Sequence, residues 1–123
     1  ELVFPAEQLV FAAINCVLDK LETVDPQAAL STFAAKVKTG ATEAIRSANL
    51  SERIRISGPA LLPRIVVTDP DDLDLRHRLQ LALKSNGVLI SRHMAYCLSH
   101  GNADAAAITG GWERAVRTLS QDQ

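Results

Sequence analysis

No apolar run in this sequence approaches the roughly twenty residues that a membrane span requires. The N-terminus also lacks the basic stretch followed by a hydrophobic one that marks a secretory leader. A cytoplasmic protein with no membrane partner is therefore expected. Charge of one sign is missing too: thirteen basic and fourteen acidic residues are interspersed and leave a formal net charge of −1. Binding to a phosphate backbone needs a basic face, so nucleic acid is not an expected partner. Cysteine is scarce. Cys16 and Cys97 are the only two, which is no disulfide framework, and both read as core thiols in a reducing compartment.

What remains is ordinary globular material. Apolar residues make up 47% and charged residues 22% of the 123, close to the averages for folded domains. A chain of this length forms one domain's worth of core and buries roughly two thirds of its unfolded surface, so residues 1–123 are expected to form a single domain. The chain opens on Glu1 rather than Met, which reads as a piece of a longer protein or a processed one.

Hydrophobic spacing gives the elements. Val10, Ile14, Val17, Leu18 and Leu21 lie on one stripe of a helix from about Ala6 to Thr23. Asp25 and Pro26 then suit the cap and first position of a second helix. Its stripe runs through Leu30, Phe33, Ala34, Val37, Ala41, Ala44, Ile45 and Ala48. Residues 53–56 alternate as a half-buried strand does, Gly58 and Pro59 break the run, and residues 64–68 form a second β-branched run, which predicts an antiparallel pair. The acidic cluster at Asp69, Asp71 and Asp72 opens a third helix with Leu75, Leu79, Ala82 and Leu83 behind it, and Asn86 with Gly87 ends it. Residues 88–91 and 95–99 read as two further strands. A last helix starts near Asn102 and runs through Ile108, Trp112, Val116 and Leu119, with a kink or split expected at Gly110 and Gly111. The fold class is thus α+β: a small antiparallel or mixed sheet of about four strands with helices on one face, preceded by two long helices.

No arrangement of nucleophile, base and orienting group stands out, so no catalytic residue is assigned. His77 sits in the charged run Arg76-His77-Arg78 and reads as a solvated surface residue. His93 and His100 have no Cys or carboxylate at ligand spacing, and no metal site is expected. Gly40 and Gly58 lack the strand, turn and helix context of a phosphate loop and read as punctuation. Lys20, Lys36, Lys38 and Lys84 are the only lysines, each in a polar phase of a helix, whereas a Schiff-base lysine sits in a partly desolvated site. The residues alone leave a globular α+β domain whose role is equally binding or assembly.

Two stretches carry a family resemblance that spans nearly the whole chain. Residues 3–13, Val-Phe-Pro-Ala-Glu-Gln-Leu-Val-Phe-Ala-Ala, and residues 86–90, Asn-Gly-Val-Leu-Ile, followed by residues 98–104, Leu-Ser-His-Gly-Asn-Ala-Asp, resemble the start and end of the C-terminal small domain of class III pyridoxal-phosphate-dependent aminotransferases. The glutamate-1-semialdehyde aminomutase-like members are the most similar. The resemblance implies a large cofactor-binding domain N-terminal to these residues and a homodimer, with this domain closing the active-site cleft and supporting the dimer. It also implies pyridoxal phosphate in the complete protein and none on this chain alone, because the family's aldimine lysine falls before Glu1. Val3 takes the place of the family's phosphate-contacting Thr, and Gly101 stands where a Thr often follows the His. Arg92 and His93 fall where the family approaches substrate, so they are the substrate-binding candidates, Arg92 as a two-pronged carboxylate holder. Plainer readings are a surface Arg, a strand-edge His and, for His100, a turn residue whose ring bonds backbone before the last helix. The reading from another class is a noncatalytic α+β interaction or regulatory domain.

Overall fold

The computed structural model describes residues 5–69, 72–90 and 94–121. Helix α1 spans Pro5–Thr23 and α2 spans Pro26–Ser47, followed by strands β1 (Ile54–Ser57) and β2 (Arg64–Val67), α3 (Leu73–Ser85) and α4 (Asn102–Gln121). The break between the first two helices is made by Asp25, whose carboxylate accepts from the N–H groups of Gln27 and Ala28 at 2.9 and 3.1 Å, with Pro26 in the first turn. Those two donors would otherwise lack a partner inside the helix.

Helices α2 and α3 end alike. After α2, Asn49 takes a φ of 57° and the N–H groups of Asn49 and Leu50 donate back to Arg46 and Ile45. After α3, Gly87 takes a φ of 80° and the N–H groups of Gly87 and Val88 donate back to Lys84 and Leu83. Both are left-handed caps closed by paired reverse hydrogen bonds, with the following Leu50 or Val88 buried.

The core lies where α2 and α3 pack on α4 and β1 packs on α2. Phe33, Val37, Ile45, Leu50, Ile54, Leu75, Leu79, Leu83, Trp112, Val116 and Leu119 fill it, and burying each large side chain contributes about 1.5–3 kcal/mol. Helices α2 and α4 approach closely at Gly40, where a Cβ would stand 2.5 Å from Thr109 Cγ2. Gly40 is therefore a packing residue rather than punctuation, while Gly58, with a φ of 87°, does punctuate the turn after β1. Trp112 is completely buried, and its Nε1 has no hydrogen-bond partner among the described residues.

The sheet is smaller than expected. Strands β1 and β2 pair antiparallel with Ile54 opposite Val67 and Ile56 opposite Ile65, but no further strand forms among the described residues. Residues 88–90 and 94–99 spend their backbone groups elsewhere. Val88 N–H closes the α3 cap, Met94 N–H donates to Pro63 O, and Cys97 N–H donates to the His100 ring. The α+β class holds, with four helices and a two-stranded antiparallel sheet.

Three other expectations change. Helix α4 runs through Gly110 and Gly111 without a break. A Cβ at Gly111 would collide with Val88 and the Asn86 carbonyl, so the glycine lets α4 sit against the chain leaving α3. Both cysteines are exposed rather than core, Cys16 on α1 and Cys97 beside a turn. Most consequentially, no residue of α1 from Glu7 to Thr23 is buried, so its apolar stripe is left largely exposed.

Candidate functional site

A hollow of about 300 Å³ opens between the segment after α3, residues 94–100 and the first turns of α4. Its walls include Val88, Ile90, Met94 and Ile108, and its polar groups are Tyr96, His100 and Asp104. The size and the mixture of apolar wall with a few polar groups suit a small ligand.

Each polar group is held by identifiable contacts. Phe33, on the buried face of α2, anchors two of the rings. The His100 ring lies parallel to Phe33 with centroids 5.3 Å apart, and the Tyr96 ring meets Phe33 edge-on at 5.3 Å, both favourable aromatic geometries. The Nδ1 of His100 accepts from Cys97 N–H at 3.0 Å, so the hydrogen of the ring is carried on Nε2. His100 is thus a turn-forming residue that also lines the hollow. Burial pushes the Tyr96 hydroxyl up to about 12 from its ordinary 10, so it stays protonated and able to donate near neutrality. Asp104 stands three residues after Gly101 and accepts from its N–H at 2.7 Å, satisfying one of the open donors at the start of α4.

The arrangement brings together an apolar wall, a hydroxyl donor, an imidazole and a carboxylate, and among the described residues no nucleophile is paired to a base there. No group of three or more metal-ligating side chains occurs among the described residues. A second hollow of about 330 Å³, lined by Glu43, Ser47, Glu113, Arg117 and Ser120 between α2 and α4, has opposite charges along it and no aromatic wall.

The residues singled out from sequence are only partly brought here. Val3, Arg92 and His93 lie outside the described residues; Ile90 and Met94, which flank the latter pair, both line the hollow. His77 is exposed on α3, as expected. Tyr96 and Asp104 were missed. The signal for Asp104 was an acid in the first turn of a helix, three residues past Gly101, whereas nothing local marks Tyr96, whose position depends on Phe33 more than sixty residues earlier.

An aldimine with pyridoxal phosphate needs a lysine in a partly desolvated site. Lys20, Lys36 and Lys84 are exposed. Lys36 Nζ donates to Asn102 Oδ1 at 2.9 Å, and Lys38 Nζ donates to Gly58 O at 2.6 Å. None of the four lines the hollow. The described residues do not fit that group as an aldimine. No helix among them is long and apolar enough to cross a membrane.

No family model and no curated protein matches the chain. Among solved structures it is similar to the FumI protein of Sphingopyxis sp. MTA144, solved in its PLP internal aldimine form, with a TM-score of 0.75 at 20% identity. The match covers 85% of this chain and 25% of that one. The chain therefore shares the fold of about a quarter of a PLP-bearing protein.

Proposed function

We propose that these residues form the C-terminal small domain of a class III pyridoxal-phosphate-dependent aminotransferase or aminomutase. The domain closes one side of the active-site cleft and supports a homodimer, while a large domain supplies the cofactor and its lysine. The observation that carries this reading is the shared fold with one quarter of a PLP-bearing protein, over 85% of the present chain. The lysine positions agree with it, because a cofactor bound as an aldimine has to be held from outside these residues. Ile90 and Met94 line the hollow with Tyr96, His100 and Asp104 and bracket in sequence Arg92 and His93, the substrate-binding candidates, and by resemblance Val3 takes the place of the family's phosphate-contacting Thr. Two exposed free thiols fit a reducing compartment, the cytoplasm.

Borohydride trapping tests this. The 123-residue chain and the complete gene product are each incubated with pyridoxal phosphate, reduced and mapped by peptide mass. The complete product is expected to carry one stoichiometric adduct on a lysine outside these residues, and the short chain only scattered, substoichiometric labelling. A single stoichiometric adduct on Lys20, Lys36, Lys38 or Lys84 would overturn the assignment. So would a complete product that takes up no cofactor, which would favour a noncatalytic interaction domain.

A further inference from the structure

The turn that brings the chain into α4 is closed twice between the same two residues. The N–H of His100 donates to the Cys97 carbonyl at 3.0 Å, and the Cys97 N–H donates to Nδ1 of the His100 ring, also at 3.0 Å. The first bond is that of an ordinary β-turn and is indifferent to pH. The second depends on the ionisation of a side chain. A neutral imidazole has one bare nitrogen, and in His100 it is Nδ1, the atom that takes the Cys97 hydrogen. A proton added to this ring therefore lands on Nδ1, where a donor would then face a donor. Cys97 is exposed, so its released N–H can turn to water and the turn can open without disturbing the core.

The surroundings of the ring bear on which form it takes. Helix α2 presents Phe33, whose parallel ring accepts a neutral imidazole or an imidazolium, so the stack does not resist the proton. Lys36 of the same helix is tied to Asn102 Oδ1 at 2.9 Å and, as a cation, works against a second positive charge nearby. From the segment before the turn comes Tyr96, which stays protonated near neutrality. From α4 comes Asp104, the one carboxylate that lines the hollow with His100 among the described residues. It takes the Gly101 N–H at 2.7 Å and, as an anion, favours the imidazolium. The bond to Cys97 is what binds the ring in its neutral form.

The turn also shapes the hollow. Met94, Ala95, Tyr96 and His100 all line it, and the stretch is fastened on either side, by Met94 N–H on Pro63 O at 3.2 Å and by Lys36 on Asn102. Opening the turn is thereby confined to the residues between these two ties. We propose that His100 is a proton-operated latch on the wall of the hollow: its neutral ring closes the 97–100 turn through the Cys97 N–H, and protonation releases that turn and loosens the wall carrying Tyr96. The latch is shut at the upper end of the range in which imidazoles titrate, about pH 5 to 8, and opens as the pH falls through it. The inference stands on the turn alone and is read from its own resonances, so it is decided separately from the cofactor assignment.

Nuclear magnetic resonance of the 15N-labelled 123-residue chain, titrated from about pH 8 to about pH 5, tests this. Carboxylates ordinarily titrate below about pH 5, so a step inside that window is not theirs. At the upper end the ring nitrogens of His100 should report hydrogen on Nε2 and a lone pair on Nδ1. On acidification the Cys97 amide proton should move upfield, as a lost hydrogen bond requires, along the same curve as the His100 ring. His77, exposed on α3, should titrate without moving Cys97. His100→Asn puts a carbonyl oxygen one bond from Cγ, where Nδ1 stands, and cannot take the proton; its Cys97 signal should stay flat across the window. If that variant does not fold, the wild-type titration decides alone. A ring with its hydrogen on Nδ1 near neutrality would overturn the proposal. So would a Cys97 amide that stays still while His100 titrates, a Cys97 step that persists in folded His100→Asn, or a Trp112 emission that shifts in the same step, which would mean that the core opens and not the turn.

Discussion

Helices α1 and α2 follow one another with only two residues between them and have 19 and 22 residues. Both carry apolar side chains at helical spacing. Six residues of α2, namely Phe33, Ala34, Val37, Ala41, Ala44 and Ile45, are buried, and none of α1 from Glu7 to Thr23 is. The stripes differ in residue size. That of α2 mixes Ala34, Ala41 and Ala44 with large residues and has Gly40 beside them, which lets the α4 backbone come close, whereas that of α1 holds only large side chains. Periodicity reports that a helix has an apolar face, while the sizes along that face bear on how near its neighbour can come.

The comparison can be broken most directly with one residue type in two places. Ile45 in α2 is 2% exposed and Ile14 in α1 is 46% exposed. Ile45→Ala should cost about 2–5 kcal/mol in urea unfolding, the range for truncating a buried Ile. Ile14→Ala, measured at dilution, should stay within about 0.5 kcal/mol of wild type. Equal costs would mean that α1 is packed in solution in a way the fold does not show. The next effect sharpens the argument from size. Gly40→Val puts a branched side chain where even a Cβ would crowd Thr109 and should cost about 1–3 kcal/mol by overpacking; a neutral result would show that α2 and α4 can move apart freely. The smallest effect lies at the junction of the two helices. Asp25→Ala removes the acceptor for Gln27 and Ala28 and should cost about 1 kcal/mol, visible as a lower urea midpoint with unchanged slope.

How far the sequence could be read follows from where the information lies. The start of α2 and the end of α3 were legible because Asp25, Pro26, Asn86 and Gly87 act on their own backbone neighbourhoods. The end of α2 was legible from the stripe running to Ala48, but its cap was not, although Asn49 closes the helix with the same geometry as Gly87, because Asn reads as left-handed less clearly than Gly does. The β1–β2 pair was legible from alternation broken at Gly58 and Pro59. The two extra strands were not, since the choice between strand and turn for residues 94–100 is made by the His100 ring taking the Cys97 N–H and by Tyr96 and His100 packing on distant Phe33. In the candidate site, His100 was legible as a turn residue and Tyr96 was not, for the same reason. The thiols misled because cysteine is usually buried, and here Cys16 rides on a helix with no buried residue from Glu7 to Thr23.

Trp112 gives this molecule an optical consequence. It is the only tryptophan in the chain, and Tyr96 the only tyrosine; α1 contains neither. Enclosed by apolar neighbours and, among the described residues, without a hydrogen-bond partner for its indole nitrogen, Trp112 should emit at short wavelength and shift to the red only when the α2–α3–α4 core opens. Far-ultraviolet dichroism, by contrast, counts every helix, α1 included. Melting curves from the two signals should therefore separate whenever α1 frays ahead of the core.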